Sequence, residues 1–135
     1  EHLGAFARPL GVRLVVENLL NEATTPDHVV AILEGGHLPN IGVCLDLGHA
    51  HMSVGIGEAV TTVGDRIASV HAHDNHGQKD EHLWPGDGTI NWTETATALR
   101  ALAPPPAIVL EPHSSLDGDP ADLQKRITQA FALFD

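Results

Sequence analysis

The 135-residue chain has one cysteine, Cys44, and seven lysines and arginines against eighteen aspartates and glutamates. A single thiol excludes an internal disulfide and fits a reducing compartment. A formal net charge of −11 gives a field that repels phosphate backbones, so general nucleic-acid binding is disfavoured. No long apolar run and no signal peptide stand in the sequence, which removes a membrane role and sets the expectation of a soluble, cytoplasmic protein. A short period, the mark of a solenoid, is missing, and so is any low-complexity tract. The chain begins at Glu1 without methionine, and "EHLGAFARPL" reads as the tail of a helix already under way. A fragment or a processed product is the expectation.

What is present is globular: 42% hydrophobic and 19% charged residues, enough for one domain over 1–135. Strand-like apolar runs occur at "VRLVVE" (12–17), "IGVCLD" (41–46), "IASVH" (67–71) and "AIVLE" (107–111). Helical patterns lie between them. "TTPDHVVAILEGG" has Thr25 as N-cap and Pro26 at the first helical position. "GIGEAVTTVGDR" and "NWTETATALRAL" follow, and "DGDPADLQKRITQAFALF" closes the chain with Asp119 capping and Pro120 next. Alternating strands and helices predict an α/β fold of βα units with a parallel sheet.

Aligned on their last residue, the strands end LVVE, VCLD, ASVH and IVLE. The final positions are Glu17, Asp46, His71 and Glu111, all suited to metal ligation or acid–base work. One residue earlier stand Val16, Leu45, Val70 and Leu110. Side chains alternate faces along a strand, so one face packs on helices and the other carries a polar group at each carboxyl end. Carboxyl ends of parallel strands are where α/β folds build sites. Three carboxylates and one imidazole form a hard, oxygen-rich donor set that suits Mn²⁺, Mg²⁺, Co²⁺ or Zn²⁺.

The motifs "VVEN", "GVCLDLGHAH", "VHAHDN", "DEHLWPGDGTINW" and "VLEPH" together resemble the xylose isomerase-like TIM barrels. That superfamily includes sugar (phosphate) isomerases and epimerases, and AP endonucleases of the endonuclease-four type. The resemblance implies the fifth to eighth strands, the C-terminal half of a (β/α)8 barrel of ~250 residues. In the isomerase and epimerase branch it implies that Glu17, Asp46, His71 and Glu111 hold one divalent metal. Glu17 and Glu111 would also be the proton-transfer pair, and His49 would contact substrate. A metal on adjacent hydroxyl and carbonyl oxygens stabilises an ene-diolate, and carboxylates on two faces exchange the proton.

In the endonuclease branch His49 would join Asp80 and His82 at another metal of a trinuclear site. The resemblance thus leaves His49, Asp80 and His82 as substrate-binding or additional-metal residues. The isomerase branch often places an arginine soon after the His71 position. Here Gly77 and Gln78 stand nearby, which leaves the sugar unassigned. "ENLLNEA", where the endonuclease branch has a glycine-containing stretch, counts against the hydrolase, as does the net charge. The expected partner is a sugar or sugar phosphate, and a half-barrel further calls for its missing N-terminal half or a second copy. A metal-binding fragment without activity of its own is the remaining alternative.

The stretch "SVHAHDNHGQKDEHLWPGDGT" (69–89) would then be one wall of the site, with Asp80 and His82 brought back over the metal. His73, two residues past His71, reads as a second-layer group, a substrate contact or a loop residue. Asp74 and Asn75 read equally as site residues or as turn formers. His51 and His76 read as solvated, and His2, His28 and His37 as surface. His113 could line the pocket but is left out. Trp84 reads equally as a sugar cover or a packing residue. Cys44 should point into the barrel, and Asn18 should orient the rim.

Overall fold

The computed structural model describes residues 2–38, 40–113 and 119–135. The terminal helical pattern read from position 117 therefore has its first two residues outside the described residues. Four parallel strands lie in sequence order: β1 (Leu14–Glu17), β2 (Ile41–Asp46), β3 (Ile67–Ala72) and β4 (Ala107–Leu110). Parallel neighbours cannot be joined by a hairpin, so the chain returns each time over one face through helices. These are α2 (Pro26–Gly35), α3 (Leu47–Met52) with α4 (Ile56–Val63), and α5 (Trp92–Arg100). Helix α1 (His2–Ala7) precedes the sheet and α6 (Pro120–Ala132) follows it.

The helix-facing side of the sheet is the core. Val43, Leu45 and Val70 are fully buried there, in one cluster with Val29 and Leu33 of α2, Ala59, Val60 and Val63 of α4, and Leu99 of α5. The opposite side is open at both outer strands. Val15 is 43% and Val109 is 47% exposed, whereas Cys44 on the central strand β2 is buried.

Several boundaries differ from the sequence reading, each for a local reason. β1 starts at Leu14, because a turn precedes it and the Val12 N–H donates to the Ala7 carbonyl at 3.1 Å. β4 stops at Leu110, and Glu111 follows with its N–H on the Ala72 carbonyl at 3.1 Å. Thr25 occupies the N-cap of α2, but its hydroxyl donates to Asp27 Oδ1 at 2.6 Å and caps no backbone N–H. The Asp119 side chain accepts the Ala121 N–H at 2.9 Å at the start of α6. α3 has no counterpart in the sequence reading. Its sequence LGHAHM is too short for periodicity, and its start is set by Asp46, whose Oδ1 accepts the His49 N–H at 2.7 Å.

Candidate metal centre

The strand ends deliver one group of four. Glu17 and Asp46 are the last residues of β1 and β2, His71 stands opposite Asp46 in register, and Glu111 follows β4. One ligand-type atom from each lies within 4.8 Å of the others. His71 Nδ1 is central, 3.1 Å from Glu17 Oε1, 3.2 Å from Glu111 Oε2 and 3.9 Å from Asp46 Oδ2. One ring nitrogen carries at most one proton, so it cannot satisfy three carboxylates. The excess of negative charge and lone pairs fits a hard divalent cation.

Asp46 is fully buried and anchored from three sides. The Asn18 amide brackets its main chain, Oδ1 accepting the Asp46 N–H at 2.8 Å and Nδ2 donating to its carbonyl at 3.1 Å. His73 Nε2 lies 3.1 Å from Asp46 Oδ1 and 3.2 Å from Oδ2. Burial pushes the Asp46 carboxyl up, but the hydrogen bonds from His73 and the His49 N–H, with the charges of those rings, more than reverse this. Its pKa lies below the ordinary carboxylate value. Burial likewise pushes His73 down, and its bond to Asp46 with the charges of Asp46, Asp80 and Glu111 reverses that, leaving it above the ordinary histidine value.

A second group adjoins the first: His49, His73, Asp80 and His82, again with one ligand-type atom each within 4.8 Å. His49 Nε2 is 3.3 Å and His82 Nε2 3.2 Å from Asp80 Oδ2. The other nitrogens fix the tautomers. His49 Nδ1 faces the Asn18 carbonyl at 3.0 Å, and His82 Nδ1 faces the Glu111 carbonyl at 2.8 Å. A carbonyl only accepts, so both Nδ1 atoms donate and both neutral rings aim an Nε2 lone pair at a carboxylate. Imidazolium or a bound cation resolves that opposition. His73 Nδ1 and Asp80 Oδ1 are also buried without a hydrogen-bond partner among the described residues. The residues present therefore fit cation binding in both groups.

Eight of the residues singled out from the sequence thus come together: Glu17, Asp46, His49, His71, His73, Asp80, His82 and Glu111. His113, set aside in the sequence, is also adjacent. The rings of His73, His82 and His113 form a stack with centroids 3.8 and 4.0 Å apart. His51 and His76 are not part of the site; they bond to Thr89 Oγ1 at 3.1 Å and Glu81 Oε2 at 2.8 Å. His28 Nδ1 bonds the Glu22 carbonyl on the surface. Trp84 packs in the structure, with the Arg126 guanidinium 5.8 Å from its ring centroid. Asp74 and Asn75 are both fully buried, and Asn75 shapes a local turn, its Oδ1 accepting the Gly77 N–H at 2.8 Å. Asp74 has partners up to 18 residues away and Asn75 Nδ2 donates to the Gly48 carbonyl 27 residues away, and no local pattern signals these contacts.

Comparison with known proteins gives a consistent result. An uncharacterized protein of Methanocaldococcus jannaschii is 34% identical over 104 residues, 72% of this chain and 36% of that protein. The D-psicose 3-epimerase of Agrobacterium fabrum is 29% identical over 119 residues, 84% of this chain and 39% of that enzyme. Among solved structures, a D-psicose 3-epimerase from Clostridium cellulolyticum H10 with D-tagatose superposes with a TM-score of 0.81 at 22% identity, covering 98% of this chain and 52% of that one. A D-tagatose 3-epimerase-like protein gives 0.75 at 26% identity, with 98% and 52% coverage. The chain spans about half the length of these solved structures and under two fifths of the curated relatives. The family described as xylose isomerase-like TIM barrel matches residues 1–132. The α/β chain, with its four-stranded parallel sheet, belongs to the xylose isomerase-like TIM barrel family as a half-barrel.

Proposed function

We propose that residues 1–135 form the second half of a divalent-metal-dependent isomerase or epimerase that acts on a sugar or sugar phosphate. The observation that carries this is the convergence of Glu17, Asp46 and Glu111 on His71 Nδ1 at the carboxyl ends of the strands. The epimerases among the relatives agree with it.

Glu17, Asp46, His71 and Glu111 would hold the ion, which when bound polarises adjacent hydroxyl and carbonyl oxygens of the sugar. Glu17 and Glu111 come from the two outer strands, so their carboxylates approach from opposite edges of the sheet. One removes the proton from the carbon beside the carbonyl. The electron pair enters the carbonyl to give an ene-diolate, and a proton returns from the same carboxyl group, or from the opposite one where that one enters the step protonated. Return on the opposite face inverts the carbon, and return to the neighbouring carbon, with the hydroxyl proton passing to the former carbonyl oxygen, moves the carbonyl. Asp46 stays ionised under its hydrogen bonds and keeps His73 in place. His49, Asp80 and His82 bind sugar hydroxyls or a further cation.

The opposed lone pairs around Asp80 favour a second reading, a hydrolase of phosphodiesters that uses additional cations there. The net charge of −11 counts against a polyanionic substrate.

The test is a whole barrel containing this chain, assayed on ketoses and ketose phosphates in deuterated water. Interconversion with solvent deuterium entering the product is expected. Glu17→Gln or Glu111→Gln should each lower turnover by about 10²–10⁴-fold, and Glu111→Gln should also weaken metal binding. Unchanged turnover and metal content in Glu111→Gln would sink the assignment. Cleavage of abasic DNA without sugar interconversion would favour the hydrolase.

A further inference from the structure

Residues 73–92 carry Asp80 and His82 on a stretch with almost no regular structure. One buried carboxylate ties it together. Asp74 Oδ1 accepts the N–H groups of Asn75 at 2.9 Å and Ile90 at 3.1 Å. Its Oδ2 accepts the Gly86 N–H at 2.9 Å and the Trp92 indole Nε1–H at 2.7 Å. The Asp74 main chain pairs with Leu83 in both directions, at 2.8 and 2.9 Å. The carboxylate thus joins the start of the loop to its far limb and to the first residue of α5. Four N–H dipoles meet its charge, with no side-chain cation among these contacts.

The surroundings are shaped for this group. A Cβ on Gly88 would lie 2.3 Å from Asp74 Oδ1 and 2.6 Å from the Asn75 carbonyl. His82 precedes Leu83, the residue bridged to Asp74, and holds a left-handed backbone at φ 48°. That conformation is costly for a residue with a Cβ. It persists because His82 Nδ1 bonds the Glu111 carbonyl and the His82 carbonyl accepts the His113 N–H at 2.8 Å. Between the bridge and Asp80 the chain at 76–79 is exposed, and its own bonds are local: the His76 N–H and ring bond Glu81 Oε2 at 2.9 and 2.8 Å, and the Gly77 N–H bonds Asn75 Oδ1 at 2.8 Å.

We infer that Asp74 is a positioning residue: its buried carboxylate sets the loop geometry that presents Asp80 and His82 beside His49 and His73. That these side chains bind substrate or cation rests on the reading given under the proposed function. Asparagine is a sharp probe. Its amide has one acceptor oxygen, and whichever way it is turned, its NH₂ faces two of the four N–H donors. The strands do not depend on Asp74 for their core, so the damage should be local.

The experiment compares Asp74→Asn, Asp80→Asn and the double variant in the full chain. Three quantities are read: amide exchange, the ¹⁵N shifts of the His82 ring, and cobalt(II) binding by its visible absorption. In Asp74→Asn, exchange at Leu83, Gly86 and Ile90 should rise while β2 and β3 stay protected. The His82 Nδ1 signal should lose its hydrogen-bonded character. The cobalt affinity that depends on Asp80 should fall roughly 10- to 100-fold, with no further loss in the double variant.

Should Asp74→Asn fail to fold, Trp92→Phe deletes one donor only, and a smaller change in the same His82 signal is expected. A wild-type His82 signal in either folded variant overturns the inference, as does loss of protection spread evenly over all strands. If Asp80→Asn leaves cobalt binding intact while Asp74→Asn still shifts the His82 ring, the positioning role stands and the binding role of Asp80 fails.

Discussion

Gly48, the second residue of α3, separates two expectations of opposite sign. Helix propensity alone makes Gly→Ala worth about 1 kcal/mol of added stability. The structure argues the reverse. A Cβ at Gly48 would lie 2.0 Å from Cε1, 2.5 Å from Nδ1 and 2.6 Å from Nε2 of His73. Carbon atoms settle at about 3.5–4.0 Å, so the ring must move by roughly 1.5 Å or more. It has little room to do so, because Nε2 is held by Asp46 at 3.1 Å and the His82 ring is stacked on it at a 3.8 Å centroid distance.

Overpacking of this kind costs about 1–3 kcal/mol. Losing the bond to the Asp46 carboxylate adds about 1.5–3 kcal/mol. After the propensity gain, Gly48→Ala should destabilise the full chain by about 1.5–5 kcal/mol. Urea denaturation measures this directly, and a double-mutant cycle identifies the cause. Once His73→Ala has removed the ring, Gly48→Ala should cost nothing or turn favourable, a coupling of about 2 kcal/mol or more. A Gly48→Ala chain as stable as the parent, or a cycle without coupling, refutes the reasoning.

Two further outcomes are expected. The Asp46 carboxyl is held below its ordinary value, so its contribution to stability is complete above about pH 4 and is lost as pH falls through the lowered pKa. Metal-free chain should therefore weaken on acidification below about pH 4, and Asp46→Asn should flatten that limb of a stability–pH profile; an identical acid limb in the variant contradicts it. Among the described residues the outer strands β1 and β4 are paired on one edge only, and Val15 and Val109 are open to solvent, so the isolated chain should pair with a second copy or the complementary half-barrel, or precipitate. Sedimentation as a monomer near 14.3 kDa with slow exchange in all four strands counts against that.

How much of this was legible in the sequence depends on what holds each residue. Glu17, Asp46, His71 and Glu111 were legible because a parallel strand has a fixed period of two and these residues close four such runs. Aligning those ends gives the pairing Asp46↔His71, but Glu17 pairs with Cys44 and His71 with Val109, each two residues away from that alignment. Asp46 as a helix cap was not legible, since α3 is six residues long and its signal lies in a single side-chain bond. His73 was ambiguous because two-residue spacing places it on the same side as His71 only while the strand lasts, and β3 ends at Ala72. Its destination is set by the space above Gly48.

Asp74 shows where local reading fails altogether. "HDNHG" has the composition of a solvated turn, and a turn would need Asp74 to bond only its immediate neighbours. Instead its oxygens reach Gly86, Ile90 and Trp92, contacts that exist only after the loop has closed. The candidate site is therefore specified in two ways. The strand-borne group takes its geometry from sheet register, which the helix-facing core enforces from Leu45 and Val70. Asp80 and His82 take their geometry from one carboxylate buried among three backbone N–H groups and the Trp92 indole N–H. Substitutions in the core should disturb both groups together. Substitutions at Asp74, Gly88 or Trp92 should disturb Asp80 and His82 and leave the strand-borne four in place.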